Sequence, residues 1–93
     1  MGTFHDGMGE LHGITVVVDT TGAAVFVGRC HELDDIRIVL LDADVFEERA
    51  GGETKAAFVA RAAQFGVWKS RDSVMIPRAE IASIRRLGEI AAG

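Results

Sequence analysis

Residues 13–42 read GITVVVDTTGAAVFVGRCHELDDIRIVLLD, and this stretch decides the fold. Its first piece, Gly13 to Asp19, is short and β-branched, the composition of a strand. Thr20, Thr21 and Gly22 supply a turn, with Gly22 able to take a positive φ. Ala23 to Leu33 makes a second strand. Gly28 interrupts it, and a glycine inside a strand marks a bend or bulge. Asp34 and Asp35 form the next turn. Ile36 to Phe46 is a third strand, apolar on both faces. Ile36, Ile38 and Leu40 point one way, and Val39 and Leu41 the other, with Arg37 the exception. A strand of this kind is covered on both sides. The cover is a helix of the same chain or a neighbouring subunit.

Further along, Glu47 to Glu53 is a polar loop containing two glycines. The chain then changes character. Thr54 to Phe65, TKAAFVARAAQF, has five alanines and high helix propensity. Thr54 can cap its start, and Gly66 sits where a helix-ending glycine belongs. Phe58, Ala62 and Phe65 fall on one helical face. A further strand is the alternative for residues 54–65. Gly66 to Lys69 reads as extended, Arg71 to Ser73 as a turn, and Val74 to Ile76 as a short strand. Pro77 lacks an amide proton and belongs at a strand end or edge. From Ile81 the alternation fits a final short strand, or a helical turn entering one. Many short strands with tight turns indicate a small barrel.

A chain of 93 residues argues for one domain with a modest core. Residues 1–12 read as a flexible arm, and residues 13–93 as the barrel domain. The single cysteine excludes an internal disulfide. Without such a staple, a small β-rich domain gains burial by association. The N-terminus has no basic start and no long apolar run, so it is not a signal peptide. No stretch approaches the ~20 apolar residues that span a bilayer. The expected location is the cytoplasm, where a free Cys30 is stable, and no membrane partner is expected. Net charge is −4, which does not favour nucleic acid in bulk. Yet Lys69, Arg71, Arg78, Arg85 and Arg86 crowd the last quarter, while acids dominate from Glu32 to Glu48. Two solvated faces of opposite sign are the simplest reading.

Candidate chemistry is sparse. His5, Asp6 and His12 lack a third neighbouring ligand at a metal-binding spacing, so no metal is expected. Cys30 and His31 are adjacent in a strand and point to opposite faces, which rules out direct thiol activation. Asp34, Asp35, Asp42 and Asp44 read as turn chemistry and solubilising charge, since no calcium-loop pattern is present. Trp68, beside Lys69 and near Arg71, has the makings of a base-stacking site. Its other reading, a core or interface residue, carries more weight. No nucleophile, base and orienting group assemble into a set, so neither an enzyme nor a cofactor is expected.

The segment from Gly22 to Asp42 resembles the first motif of the Sm and Sm-like family. That pattern has a turn glycine, an apolar strand with a second glycine, an aspartate, and a strand ending in an acid. Gly28, Asp34 and Asp42 keep the spacing, and Phe26, Leu33, Val39 and Leu41 match the apolar positions. The interval from Gly22 to Gly28 is one residue longer than usual. VMIPRAEIASI, residues 74–84, is a weaker counterpart of the second motif. The resemblance implies a strongly bent five-stranded barrel of the Sm-like or SH3-like kind, mainly β. The Ala-rich helix would be inserted between strands 3 and 4. It also implies a ring built by edge-strand pairing.

The departures bear on function. The family follows its aspartate with an aromatic and a Met-Asn pair that contact an RNA base. Here Asp35-Ile36-Arg37-Ile38 stands there. Pro77-Arg78 replaces the second motif's Arg-Gly. The expected function is therefore a non-enzymatic, self-associating module in protein assembly. Its interaction residues would be Phe58, Phe65 and Trp68. RNA or single-stranded nucleic-acid binding through Arg37, Arg78 and Lys69 is the alternative.

Overall fold

The computed structural model describes residues 11–90. Most of the expected N-terminal arm, including His5 and Asp6, lies outside the described residues. Five strands run β1 (Thr15–Thr20), β2 (Ala24–Leu33), β3 (Arg37–Glu47), β4 (Arg71–Pro77) and β5 (Ile81–Arg86). The helix α1 (Lys55–Phe65) stands between β3 and β4, as the alanine run predicts. The sheet order is β4-β3-β2-β1-β5, with every pairing antiparallel. The third and fourth pieces of the chain are joined through α1, while short 3₁₀ turns follow β4 and β5.

The bend expected at Gly28 has a direct cause. A Cβ built there would lie 2.7 Å from the Ala43 Cβ and 3.0 Å from its Cα. No real side chain tolerates that approach. The β2–β3 register slips between Val27 and Arg29, at the same point. It slips again between Cys30 and Glu32. Asp42 takes up part of the distortion with φ of 51°, in the left-handed region. The bent sheet closes around Val16, Val18, Cys30, Leu33, Ile38, Leu40, Ala43 and Ile76.

A second cluster forms on the other side of the hairpin. Val17, Val25 and Val27 pack against Phe58, Val59 and Ala62 of α1. Phe46 stacks on Phe58 with ring centroids 5.0 Å apart. Thus the strand buried on both faces is β1, where Val16, Val17 and Val18 are all fully buried. This corrects the expectation for β3. There Val39 and Leu41 are only half-buried, because α1 covers β1, β2 and the far end of β3 instead.

Local chemistry fixes α1 in place. The Thr54 hydroxyl accepts from Ala57 N–H at 3.1 Å, and Gly66, at φ 95°, donates its N–H to the Ala62 carbonyl. The Lys55 ammonium reaches back to the β1–β2 turn. It donates to Asp19 Oδ1 at 2.7 Å, the Gly22 carbonyl at 2.6 Å and the Thr20 carbonyl at 3.1 Å. The helix start is thereby clamped to the hairpin it covers.

Two other expectations change. Ile36 is not in the core face of β3 but in the preceding loop, 73% exposed. The Asp34 carboxylate accepts from both Ile36 N–H and Arg37 N–H, closing a turn that delays β3 to Arg37. Residues Arg71 to Ser73 are strand, not turn, and pair with Ala43 and Leu41. Their polar character reflects an exposed edge strand, a common way of guarding a free edge. Beyond β4, the 3₁₀ turn Arg78–Glu80 leads into β5, so the strand and the helical-turn readings of that region are both present.

The Gly28–Ala43 approach makes a specific demand. Gly28→Ala is expected to destabilise the fold by about 1–3 kcal/mol, the scale of an overpacked core site. Adding Ala43→Gly should restore part of that loss in urea denaturation. Equal stability of the parent and the single variant would show that the two strands are not in contact there.

Candidate functional site

The β2–β3 loop and the turn after β4 meet. Arg37 pairs with Pro77 across the ladder, and Arg78 donates its N–H to the Ile36 carbonyl at 2.8 Å. Arg37 and Arg78, separated by forty residues of sequence, are therefore neighbours. Asp34 organises the loop. Its Oδ1 accepts from Ile36 N–H at 2.8 Å and Arg37 N–H at 2.9 Å. These bonds hold its carboxyl below the ordinary value, the one from Arg37 first, and the Arg37 and Arg78 charges add to them. The Arg37 guanidinium lies 3.7 Å from Glu32. Its Nε is buried without a hydrogen-bond partner among the described residues.

Lys69 does not join this pair. The β3–β4 ladder runs from Arg37↔Pro77 to Ala43↔Arg71, and Lys69 precedes its far end. Six residues of strand place that end roughly 20 Å away. There Lys69 sits between Asp72 at 3.1 Å and Asp42 at 3.4 Å. Both acids hold its ammonium above the ordinary value, Asp72 first. Asp42 also pairs with Arg29 at 2.9 Å.

A second site lies beside α1. Phe65 and Trp68 are 76% and 80% exposed, the largest exposed apolar side chains among the described residues. Phe58 is buried, only 6% exposed, and contributes to this surface only as part of the wall of the cavity beside Trp68. The three residues do fall on one side of the helix or just beyond it. Phe65, however, is the last helical residue, where Gly66 turns the chain away. Next to Trp68 is a cavity of about 240 Å³ lined by Val27, Asp44, Phe58, Arg61, Ala62 and Val67 among others. Asp44 and Arg61 escape a reading by motif. The alternation Asp44, Phe46 nevertheless puts Asp44 on the face that α1 covers, and Arg61 follows Phe58 by one turn.

The remaining candidates are structural in geometry. Cys30 is buried, and burial pushes its thiol above the ordinary value. His12 Nδ1 lies 3.3 Å from the His31 carbonyl, with the rings 6.0 Å apart. Among the described residues, no three His, Cys, Asp or Glu side chains cluster as a metal site. Among the described residues, no helix is long and apolar enough to cross a membrane.

Solved structures match this architecture. One is a Pyrococcus abyssii Sm protein in complex with a uridine heptamer. It superposes with a TM-score of 0.61 at 20% identity, over 88% of this chain and 94% of that one. The chain has an Sm-like fold. The similarity extends to a chain of the NatC complex bound to CoA, with TM-score 0.55, 15% identity, and 84% and 80% of the two chains covered. It also extends to a chain of the NatC complex bound to Gag peptide and CoA, with TM-score 0.53, 18% identity, and 83% and 86% covered. No protein-family model and no curated protein matches the sequence. The Sm-like resemblance of residues 22–42 thus extends to the three-dimensional fold of most of the chain.

The depressed Asp34 carboxyl carries a pH signature. A group whose folded pKa is lowered stabilises the fold above its unfolded value, and this is lost as pH falls through the folded one. Asp34→Ala is expected to be less stable than the parent at neutral pH. The gap should close on acidification below the ordinary 3.8. Denaturation curves at stepped pH measure it, and a gap unchanged in acid would remove Asp34 ionisation as its source.

Proposed function

We propose that this Sm-like chain is a non-enzymatic, self-associating module that acts in protein assembly. The observation that carries the reading is exposed Trp68 lining an open cavity, with exposed Phe65 three residues before it in the chain. Large aromatics are enriched at the anchoring centres of protein interfaces. Both edges of the sheet support self-association, because β4 and β5 each have one side unpaired among the described residues. The similarity to a chain of the NatC complex is consistent with assembly work on this fold.

Nucleic-acid binding is the second reading. Its support is the meeting of Arg37 and Arg78 and the fold shared with an Sm protein in complex with a uridine heptamer. Ile38 counts against it. This side chain stands where the Sm-like pattern keeps its base-contacting asparagine, and here it is fully buried in the core. An alkyl group offers a base no hydrogen bond.

Light scattering on the purified chain at micromolar concentration should give the mass of several copies. A monomer would remove the self-association claim. In the same preparation, labelled oligouridine at low salt should show no saturable binding. Binding that weakens about tenfold or more in the Arg37→Ala, Arg78→Ala double variant would transfer the assignment to RNA.

A further inference from the structure

We infer that the cavity beside Trp68 is a socket for one basic side chain, arginine or lysine, of a partner polypeptide. The inference rests on the protein-assembly reading and names what that surface holds.

Size comes first. About 240 Å³ lies below the ~300 Å³ at which small-molecule sites usually begin. It suits a single long side chain. Lining chemistry comes next. Val27, Phe58, Ala62 and Val67 offer an apolar wall to a methylene stem. Such stems pack on apolar surface while the charged head seeks a partner.

Charge decides the kind of head. Two ionisable groups line the cavity, Asp44 and Arg61. Arg61 is held first by its ion pair with Glu53, with Asp44 a weaker through-space attraction. Asp44 uses Oδ1 to accept from Val45 N–H at 2.9 Å and from the Ser70 hydroxyl at 2.7 Å. No described residue bonds its Oδ2. The lining groups with Glu53 therefore sum to a single negative charge, complementary to one cation. The Trp68 indole at the rim, 80% exposed, supplies a face on which a cation is attracted. Arg61 shows the same chemistry within the chain, with its guanidinium 5.7 Å from the Phe58 ring centroid.

The chain contains one tryptophan and no tyrosine, so its tryptophan emission reports on Trp68 alone. The probes are capped tripeptides, Gly-Arg-Gly and Gly-Lys-Gly, with norleucine and glutamate counterparts and uridine monophosphate. The basic peptides should give a saturable change in Trp68 emission. Norleucine and glutamate peptides should bind about tenfold more weakly or not at all, on the scale of one charge-assisted contact. Asp44→Asn should remove the preference for the basic peptides. Ala62→Leu, which fills the cavity and leaves Asp44 intact, should block every probe. Both variants are checked for folding by circular dichroism. Norleucine binding as tightly as arginine would overturn the basic-head assignment. Saturable binding by uridine monophosphate alone, or by no probe, would overturn the socket itself. None of these outcomes alters the mass measured by light scattering, so the assembly reading stands or falls separately.

Discussion

The contact on which the rest of the structure depends is the approach of β2 to β3 at Gly28 and Ala43. With 2.7 Å between the Ala43 Cβ and the place where a Gly28 Cβ would be, only a glycine lets the strands come this close. The register slip and the bend follow from it. The bend in turn lets one sheet enclose its own core, so that Val16 and Val18 face Leu40 and Ile76 with no second sheet. It also leaves the convex side of the hairpin exposed. Val17, Val25 and Val27 would face water there if α1 did not cover them.

The helix is thus part of the core and not an appendage. Phe58, Val59 and Ala62 face inward, and Lys55 ties the helix start to the turn around Gly22. This arrangement also produces the proposed interaction surface. The chain must return from the end of α1 to β4 at the sheet edge, and the connection 66–70 packs half-buried Val67 against the second cluster and carries Trp68 outward. The cavity sits where that return passes over Asp44. The loops bearing Arg37 and Arg78 lie at the other end of the β3–β4 ladder, so the two candidate sites are physically separate.

Much of the fold was legible because its signals are local. β-Branched runs, the turn at Gly22, the capping Thr54 and the terminal Gly66 each act within a few residues. The spacing of Gly28, Asp34 and Asp42 led to the Sm-like resemblance, which the solved structures match in fold. The misreadings have both local and tertiary causes. Ile36 looked like core by alternation, yet an Asp34 side chain two residues away turned it outward. Arg71 to Ser73 looked like a turn because an edge strand is polar. Phe58 and Phe65 share a helical face, but Phe65 is the last helical residue, exposed where Gly66 turns the chain away. Asp44 and Arg61 carry no motif at all. Their meeting depends on where α1 lands, which no short-range signal encodes.

The central claim is that α1 and the valine hairpin form one cooperative core. Hydrogen exchange on Phe58→Asp tests it most directly. A carboxylate at a position 6% exposed would replace the ring that packs on Val17, Val25 and Val27 and stacks on Phe46. The account expects the amides of these three valines to lose protection together with those of α1. If α1 lost its protection while Val17, Val25 and Val27 kept theirs, the hairpin would be stable without its cover, and the account would be wrong.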